Sequence, residues 1–330
     1  MHLLPLQDRH GVALGVIDMT GSISEFDLKK IGTYLPLHTP EHLRNWLVGA
    51  LKEGKAKDVT IRLKGDLADF PFHTDTANAK PKGEFSVAGK IENGTLEYDP
   101  SHVGQDGKQP LWPLLEKIEG TFAVDRTRLQ IKAATAQTSA VTVSDVTATV
   151  PDLASHDEML LIDGTAAGAL QNFVQFTNNS PVLHWIDGFT SESQAKGNAR
   201  LQLNLQLPLA HVIDAKVTGV LQFQNNDVVL QKIIPPIANA TGQLEFNEKG
   251  FNLNGIKGSL LGGPVQASGG TQADRQTVIK IEGSAGADGL RAMYPAAAMQ
   301  KLLSHASGSS RYTATVAIRE HHPELVVESS

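Results

Sequence analysis

"RLQLNLQLPL", residues 200–209, alternates apolar and polar side chains until a proline interrupts it. In a strand, Leu201, Leu203, Leu205 and Leu207 project to one side and Gln202, Asn204 and Gln206 to the other, because side chains alternate with a period of two. Pro208 has no amide hydrogen to give to a ladder, so it marks the strand's end or an exposed edge. What covers the leucine face decides the fold.

The same pattern recurs along the chain. Glycine followed by two alternate apolar residues appears at Gly83-Glu-Phe-Ser-Val, Gly94-Thr-Leu-Glu-Tyr, Gly120-Thr-Phe-Ala-Val, Gly219-Val-Leu-Gln-Phe and Gly242-Gln-Leu-Glu-Phe, each reading as a strand that opens after a turn or bend. "ENGT" (92–95) holds the Asn-Gly of a type I′ hairpin turn, and Asn247-Glu248-Lys249-Gly250 separates two further alternating runs. At longer range, "PLLEKIEGTFAVDRTRLQI" (113–131) aligns without gaps on "PPIANATGQLEFNEKGFNL" (235–253). "LLIDGTAAG" (160–168) is echoed by "IKIEGSAGA" (279–287), and "GNARLQLNLQL" from Gly197 by "GSSRYTATVAI" from Gly308. A weaker copy runs from "VIDMTG" (16–21) to "KDVTIRLKG" (57–65). Units of 16–158, 159–278 and an incomplete 279–330 follow, each a run of strands with one covering helix.

The best-signalled helix has Thr39 as N-cap, Pro40 at its first position, a stripe of Leu43, Trp46, Leu47, Ala50 and Leu51, and Gly54 past its end. That stripe is expected to pack on the sheet, with counterparts near 168–188 and 288–304. "PELVVESS" (323–330) opens a strand-like run with no partner after it, which points to a piece of a longer protein.

Composition narrows the function classes. With 41% hydrophobic and 19% charged residues the chain has the material to fold, and 29 basic against 35 acidic residues give a net charge of -6 with no basic run for nucleic acid. There is no cysteine, hence no disulfide and no thiolate metal site. No stretch approaches the roughly 20 apolar residues that cross a bilayer as a helix.

Chemistry-bearing motifs are decoys. "HTPEH" (38–42) spells an inverted zinc-protease motif, but Pro40 at the helix start leaves His38 off the face that His42 occupies. His321 and His322 are adjacent and point to opposite sides of a strand. "GSLLGGPVQASGG" (258–270) lacks the Gly-Lys-Ser/Thr ending of a phosphate loop and reads as bends in a twisted sheet. No nucleophile elbow is present, and acids such as Asp125 and Glu248 are scattered at turns. No catalytic residue, metal or cofactor is expected. Asn93, Asn178 and Asn239 begin glycosylation-type triplets of the kind that arise by chance.

The apolar stripes remain. Burying one leucine is worth roughly 1.5 to 3 kcal/mol, so strand after strand cannot leave such a face to water. A second sheet would cover it in a closed sandwich. A sheet curled into an open groove would instead present it to hydrocarbon, which suits a 5% aromatic content and stripes that repeat in register. By parity the lining comprises Phe85, Val87, Leu96, Phe122, Val124, Leu129, Ile131, Leu201, Leu203, Leu205, Leu221, Phe223, Leu244, Phe246 and Leu253. The expected fold is mainly β: an extended, strongly curved antiparallel sheet forming an open groove from repeated units, with a few short helices. The competing expectation is a structural or interaction β-repeat protein with a closed core and no lipid; a lipid or glycan hydrolase ranks third.

The order and spacing of several segments carry a family resemblance. These are "YLPLHTPEHLRNWLVGALKEGKAKDVTIRLKGDLADFPF" (34–72), "GEFSVAGKIENGTLEY" (83–98), "LWPLLEKIEGTFAV" (111–124), "NSPV" (179–182), "GNARLQLNLQLPL" (197–209), "VTGVLQFQNNDVVL" (217–230) and "LGGP" (261–264). Together they resemble the middle of the YhdP family, very large AsmA-like proteins of Gram-negative bacteria. The resemblance implies a bridge-like β-groove in the periplasm, tethered to the inner membrane through a part outside these residues. Such a groove carries phospholipids from the inner to the outer membrane and supports the permeability barrier. Its implied partners are phospholipid acyl chains and the two membranes, with the chain monomeric.

Overall fold

A computed structural model describes residues 15–35, 41–72, 82–104, 107–209, 211, 214–230, 234–274, 276–293, 300, 305, 307–319 and 322–329. Fifteen strands form one sheet whose spatial order follows chain order. They are β1 (Val16–Asp27), β2 (Leu51–Asp66), β3 (Gly83–Leu96), β4 (Leu115–Asp125), β5 (Arg128–Thr138), β6 (Val141–Val150), β7 (Met159–Ala169) and β8 (Gln194–Pro208). Then come β9 (Lys216–Val229), β10 (Ile237–Asn247), β11 (Gly250–Leu260), β12 (Gly263–Thr271), β13 (Thr277–Gly286), β14 (Ser309–Arg319) and β15 (His322–Ser329). The registers through β1–β5 and β9–β15 are antiparallel throughout. β1 and β15 end the order, so the sheet is open rather than closed into a barrel. Among the described residues no second sheet exists, which removes the two-sheet sandwich. The "PELVVESS" run, expected to lack a partner, pairs along β14 as β15.

Among the described residues, helices α1 (Glu41–Ala50), α2 (Leu170–Asn178), α3 (Val182–Trp185) and α4 (Ala287–Met293) follow β1, β7 and β13. Thr39, Pro40 and His38 lie outside the described residues, as does His321. α1 stops at Ala50 rather than running through Leu51 to a Gly54 cap. Leu51 already pairs with Leu96 and the Ala50 carbonyl accepts the Glu97 N–H at 2.9 Å, so the ladder begins where the helix ends. Of the expected stripe, Leu43 and Leu47 are half-buried and Ala50 is buried, but Trp46 stays 39% exposed, its indole N–H donating to the Tyr98 carbonyl.

The strands are bent by inserted residues that no hydrophobic pattern announces. Asp58 (φ 51°), Asn93 (φ 48°) and Lys117 (φ 52°) each sit in left-handed conformation where the pairing slips, as do Asn239 (φ 52°) and Gly255 (φ 61°) farther along. Such bulges bend a strand and increase its twist. Two are braced by carboxylates: the Asn93 N–H donates to Glu119 Oε1 at 2.8 Å and the Asn239 N–H to Asp227 Oδ1 at 3.1 Å. The "ENGT" segment is therefore not a hairpin turn. Only Asn93 takes a positive φ, which serves a bulge inside β3, whereas a type I′ turn would need it at Gly94 as well.

Gly83 opens β3 as expected, whereas Gly94, Gly120, Gly219 and Gly242 lie inside strands. Close approach explains two of them. A Cβ on Gly120 would fall 2.2 Å from the Lys132 carbonyl oxygen, and one on Gly219 2.1 Å from the Phe246 ring. The Asn247–Gly250 turn closes β10 on β11 as expected.

The chain divides into two compact units, the first built around β1–β5 and the second around β9–β15. Neither has a thick core: the largest fully buried side chains are Phe72, Val141 and Asn226. In the first unit Phe26, Leu28, Ala56 and Val59 form one buried cluster and Ile118, Ala133 and Ala136 another. In the second, Asn226 braces a bend. Its Nδ2 donates to the Lys196 and Asn198 carbonyls at 2.9 and 3.1 Å, and its Oδ1 accepts the Gln224 N–H at 2.7 Å.

The polar face of the first unit is an ion-pair ladder. Arg62 bridges Asp18 and Glu84, Lys57 bridges Glu25 and Glu92, and Lys90 meets Asp58 at 2.8 Å. Hydrogen bonds from Arg62, Lys55 and Lys90 hold the Asp18, Glu25 and Asp58 carboxyls below their ordinary values. Depressed carboxylates stabilise the fold above their unfolded pKa and lose that contribution as pH falls through the folded one. Thermal unfolding should therefore be flat from neutral to about pH 5 and drop below about pH 4, less steeply in high salt. A midpoint that rises on acidification would contradict this.

Candidate functional site

Direct antiparallel partners share a face, so the registers settle which side chains lie together. In the first unit Gly21, Ile61, Val87, Val124 and Leu129 form one row across β1–β5. Met19, Leu63 and Phe85 form a second, and Gly89, Phe122 and Ile131 a third. The other face carries Thr20, Arg62, Ser86 and Asp125 in one row and Glu25, Lys57, Lys90, Thr121 and Lys132 in another.

The second unit repeats the arrangement over seven strands. Leu221, Leu244, Leu253, Gly269, Ile279, Val316 and Leu325 make a single row from β9 to β15. Beside it run Gly219, Phe246 and Phe251, the pair Phe223 and Gly242, and the row Ile256, Ala267, Ile281, Ala314 and Val327. The opposite face shows Gln222, Gln243 and Asn254, and Gln266, Glu282, Thr313 and Glu328.

Several aromatic rings on the apolar face sit over glycine. Phe122 pairs with Gly89, Phe246 with Gly219 and Tyr312 with Gly283, and in each case the ring occupies the space a Cβ would need. A ring laid on bare backbone keeps the wall low and smooth. The Tyr312 hydroxyl has no hydrogen-bond partner among the described residues, and burial pushes its phenol up, so it is neutral at physiological pH.

Every lining residue expected from parity is half-buried: Phe85, Val87, Leu96, Phe122, Val124, Leu129, Ile131, Leu201, Leu203, Leu205, Leu221, Phe223, Leu244, Phe246 and Leu253. None is in the buried core and none is fully exposed. On β8, Gln202 and Gln206 are exposed while the leucines are not, although Asn204 is half-buried too. Three of them also pack on buried clusters: Leu96, with Leu115, on the Ile118 cluster, and Val87 and Phe122 on the Phe26, Leu28, Ala56 and Val59 cluster. Ile61, Leu63, Ile279, Ile281 and Val316 share those rows although the parity set did not include them. The alternation in "VTIRLKG" (59–65), "VIKIEG" (278–283) and "YTATVAI" (312–318) carries the same signal.

No group of three or more histidines and carboxylates able to hold a metal is found among the described residues. A cavity of about 570 Å³ lies at the ends of β2–β4, lined by Arg62, Lys64, Lys82, Glu84, Asp125 and Arg126 among others. Its cations already face carboxylates: Arg62 meets Asp18 and Glu84, Lys64 Asp18, Lys82 Asp69 and Arg126 Asp125. That cavity belongs to the ion-pair ladder rather than to the apolar rows.

Comparison with known proteins fits this picture. The chain is 23% identical over 261 residues to the intermembrane phospholipid transporter YhdP of Escherichia coli (strain K12), an alignment covering 78% of this chain and 19% of that protein. The chain thus spans about a fifth of the length of the curated relative it matches. No solved structure matches it. The family model described as "YhdP protein" matches residues 4–330, and the chain belongs to that family.

Proposed function

We propose that this chain is a segment of a phospholipid conduit, in which the apolar face of the sheet holds acyl chains while headgroups stay near water. The observation that carries the reading is the half-buried state of the apolar rows between the edges, with Ala314 buried and Leu325 and Val327 of the edge strand β15 exposed. A closed core would bury Leu221, Leu244 and Leu253 outright, and a face meant for water would not repeat leucine across three strands. Hydrocarbon completes such a surface without directional bonds. At about 0.8 kcal/mol per buried methylene, a dozen methylenes contribute on the order of 10 kcal/mol, spread evenly enough for a chain to slide.

The relative named above is an intermembrane phospholipid transporter, which supports reading this segment as periplasmic in a Gram-negative bacterium. There it would lie between the inner and outer membranes, anchored through other parts of a longer protein, carrying lipid without chemistry and supporting the outer-membrane barrier. In this reading the segment works as a monomer, and the array repeats every six strands. The echoing segments fall on β4–β5 and β10–β11, on β7 and β13, and on β8 and β14, and helices follow β1, β7 and β13. Units of 16–158, 159–278 and 279–330 would each begin near a strand that leads into a helix.

The direct test is organic extraction of the purified chain followed by mass spectrometry. Stoichiometric phospholipid is expected. A folded chain that carries none, and takes up none from phospholipid vesicles, would return the reading to a structural β-repeat protein.

A further inference from the structure

Where β2 runs into β3, the apolar face of the first unit is filled by the chain itself. Gly65 pairs with Ile17 on one side and Gly83 on the other, so the three continue the face beyond the row of Met19, Leu63 and Phe85. The Phe72 ring lies on the bare glycine pair: a Cβ on Gly65 would fall 2.7 Å from it and one on Gly83 2.4 Å. Phe72 is 0% exposed and Ile17 6%. Phe70 extends the cover, its ring edge-on to Phe72 at 5.9 Å and to Phe85 at 5.1 Å.

The corner that carries these rings is braced. Asp66 accepts the Ala68 N–H at 3.0 Å to start the 3-10 turn Leu67–Asp69, the Asp69 carbonyl accepts the Phe72 N–H at 2.7 Å, and the Asp69 carboxylate meets Lys82 at 2.8 Å. Farther back along β2, Ala56 and Val59 are buried with Phe26 and Leu28, and Ile61 and Val87 pack on them, so β2 is covered from both ends. The second unit has no such corner among the described residues. Its corresponding connections, 248–249, 272–276 and 320–321, are too short to return a ring over the face, whereas 67–82 separate β2 from β3.

Resting on the conduit reading above, we infer that the Phe70–Phe72 corner is a stopper, whose rings take on the first unit the place that hydrocarbon takes on the second. Lipid is then held over β9–β15 and excluded from the face of β2 and β3. A buried ring removed from apolar surroundings leaves a dry cavity that hydrocarbon can enter, so Phe72→Ala admits lipid beside Leu63.

The test places a photo-crosslinking residue at Leu63 or, in a separate chain, at Leu244 of the 330-residue protein, each with Phe72 intact and with Phe72→Ala. The chains are incubated with vesicles of phosphatidylethanolamine and phosphatidylglycerol and irradiated, adducts are counted by mass spectrometry, and circular dichroism verifies the fold. With Phe72 intact, adducts at Leu63 should be at least about tenfold fewer than at Leu244, and Phe72→Ala should raise those at Leu63 at least about fivefold without changing those at Leu244. If Phe72→Ala does not fold, the comparison with Phe72 intact decides alone. Equal adducts at the two positions with Phe72 intact, or a folded Phe72→Ala chain with no gain at Leu63, overturns the stopper and leaves the conduit standing. No adducts at Leu244 overturns the conduit reading and the stopper with it.

Discussion

Asn226→Leu lowers the stability of the chain by about 3 kcal/mol or more, read from the urea midpoint. The side chain is fully buried and serves three backbone groups, the Lys196 and Asn198 carbonyls and the Gln224 N–H. Leucine of similar size fills the space but leaves those groups without partners, each at about 1 to 3 kcal/mol. Gly197, at φ 85°, passes so close that a Cβ would lie 2.8 Å from Asn226 Nδ2, so the backbone has little room to rearrange. A loss under about 1 kcal/mol would mean that the bend holds itself without the amide.

Leu244→Asp reduces bound phospholipid about tenfold while leaving the urea midpoint nearly unchanged, an effect equal to about 1.4 kcal/mol of binding. Leu244 stands between Leu221 and Leu253 in the longest apolar row and is half-buried. In the lipid-free chain a carboxylate there keeps part of its water; under an acyl chain it loses that water with no cation opposite it. Gln222→Asp, on the opposite face of β9, is the control and should bind lipid as the unaltered chain does. Collapse of the fold in Leu244→Asp would instead favour a closed core.

The strands were legible because alternation survives in "RLQLNLQLPL" and its echoes, and the echoing segments turn out to lie on strands six apart. The bulges were not legible. Asp58 and Lys117 are ordinary polar residues in sequence, and only the slipped pairing around them reveals the inserted residue. Asn93-Gly94 did carry a signal, for positive φ, but that conformation serves a bulge as readily as a turn. Bulges also explain why odd-numbered Val87 and even-numbered Leu96 can both belong to the apolar side of β3: the extra residue at Asn93 resets the alternation.

The central claim is that the apolar rows face lipid. A photo-crosslinking residue placed at Leu221 and, in a separate chain, at the exposed Gln222 next to it tests this most directly in cells. Phospholipid adducts at Leu221 in large excess over Gln222 are the predicted result, whereas equal adducts at both positions, or none at either, would contradict the account.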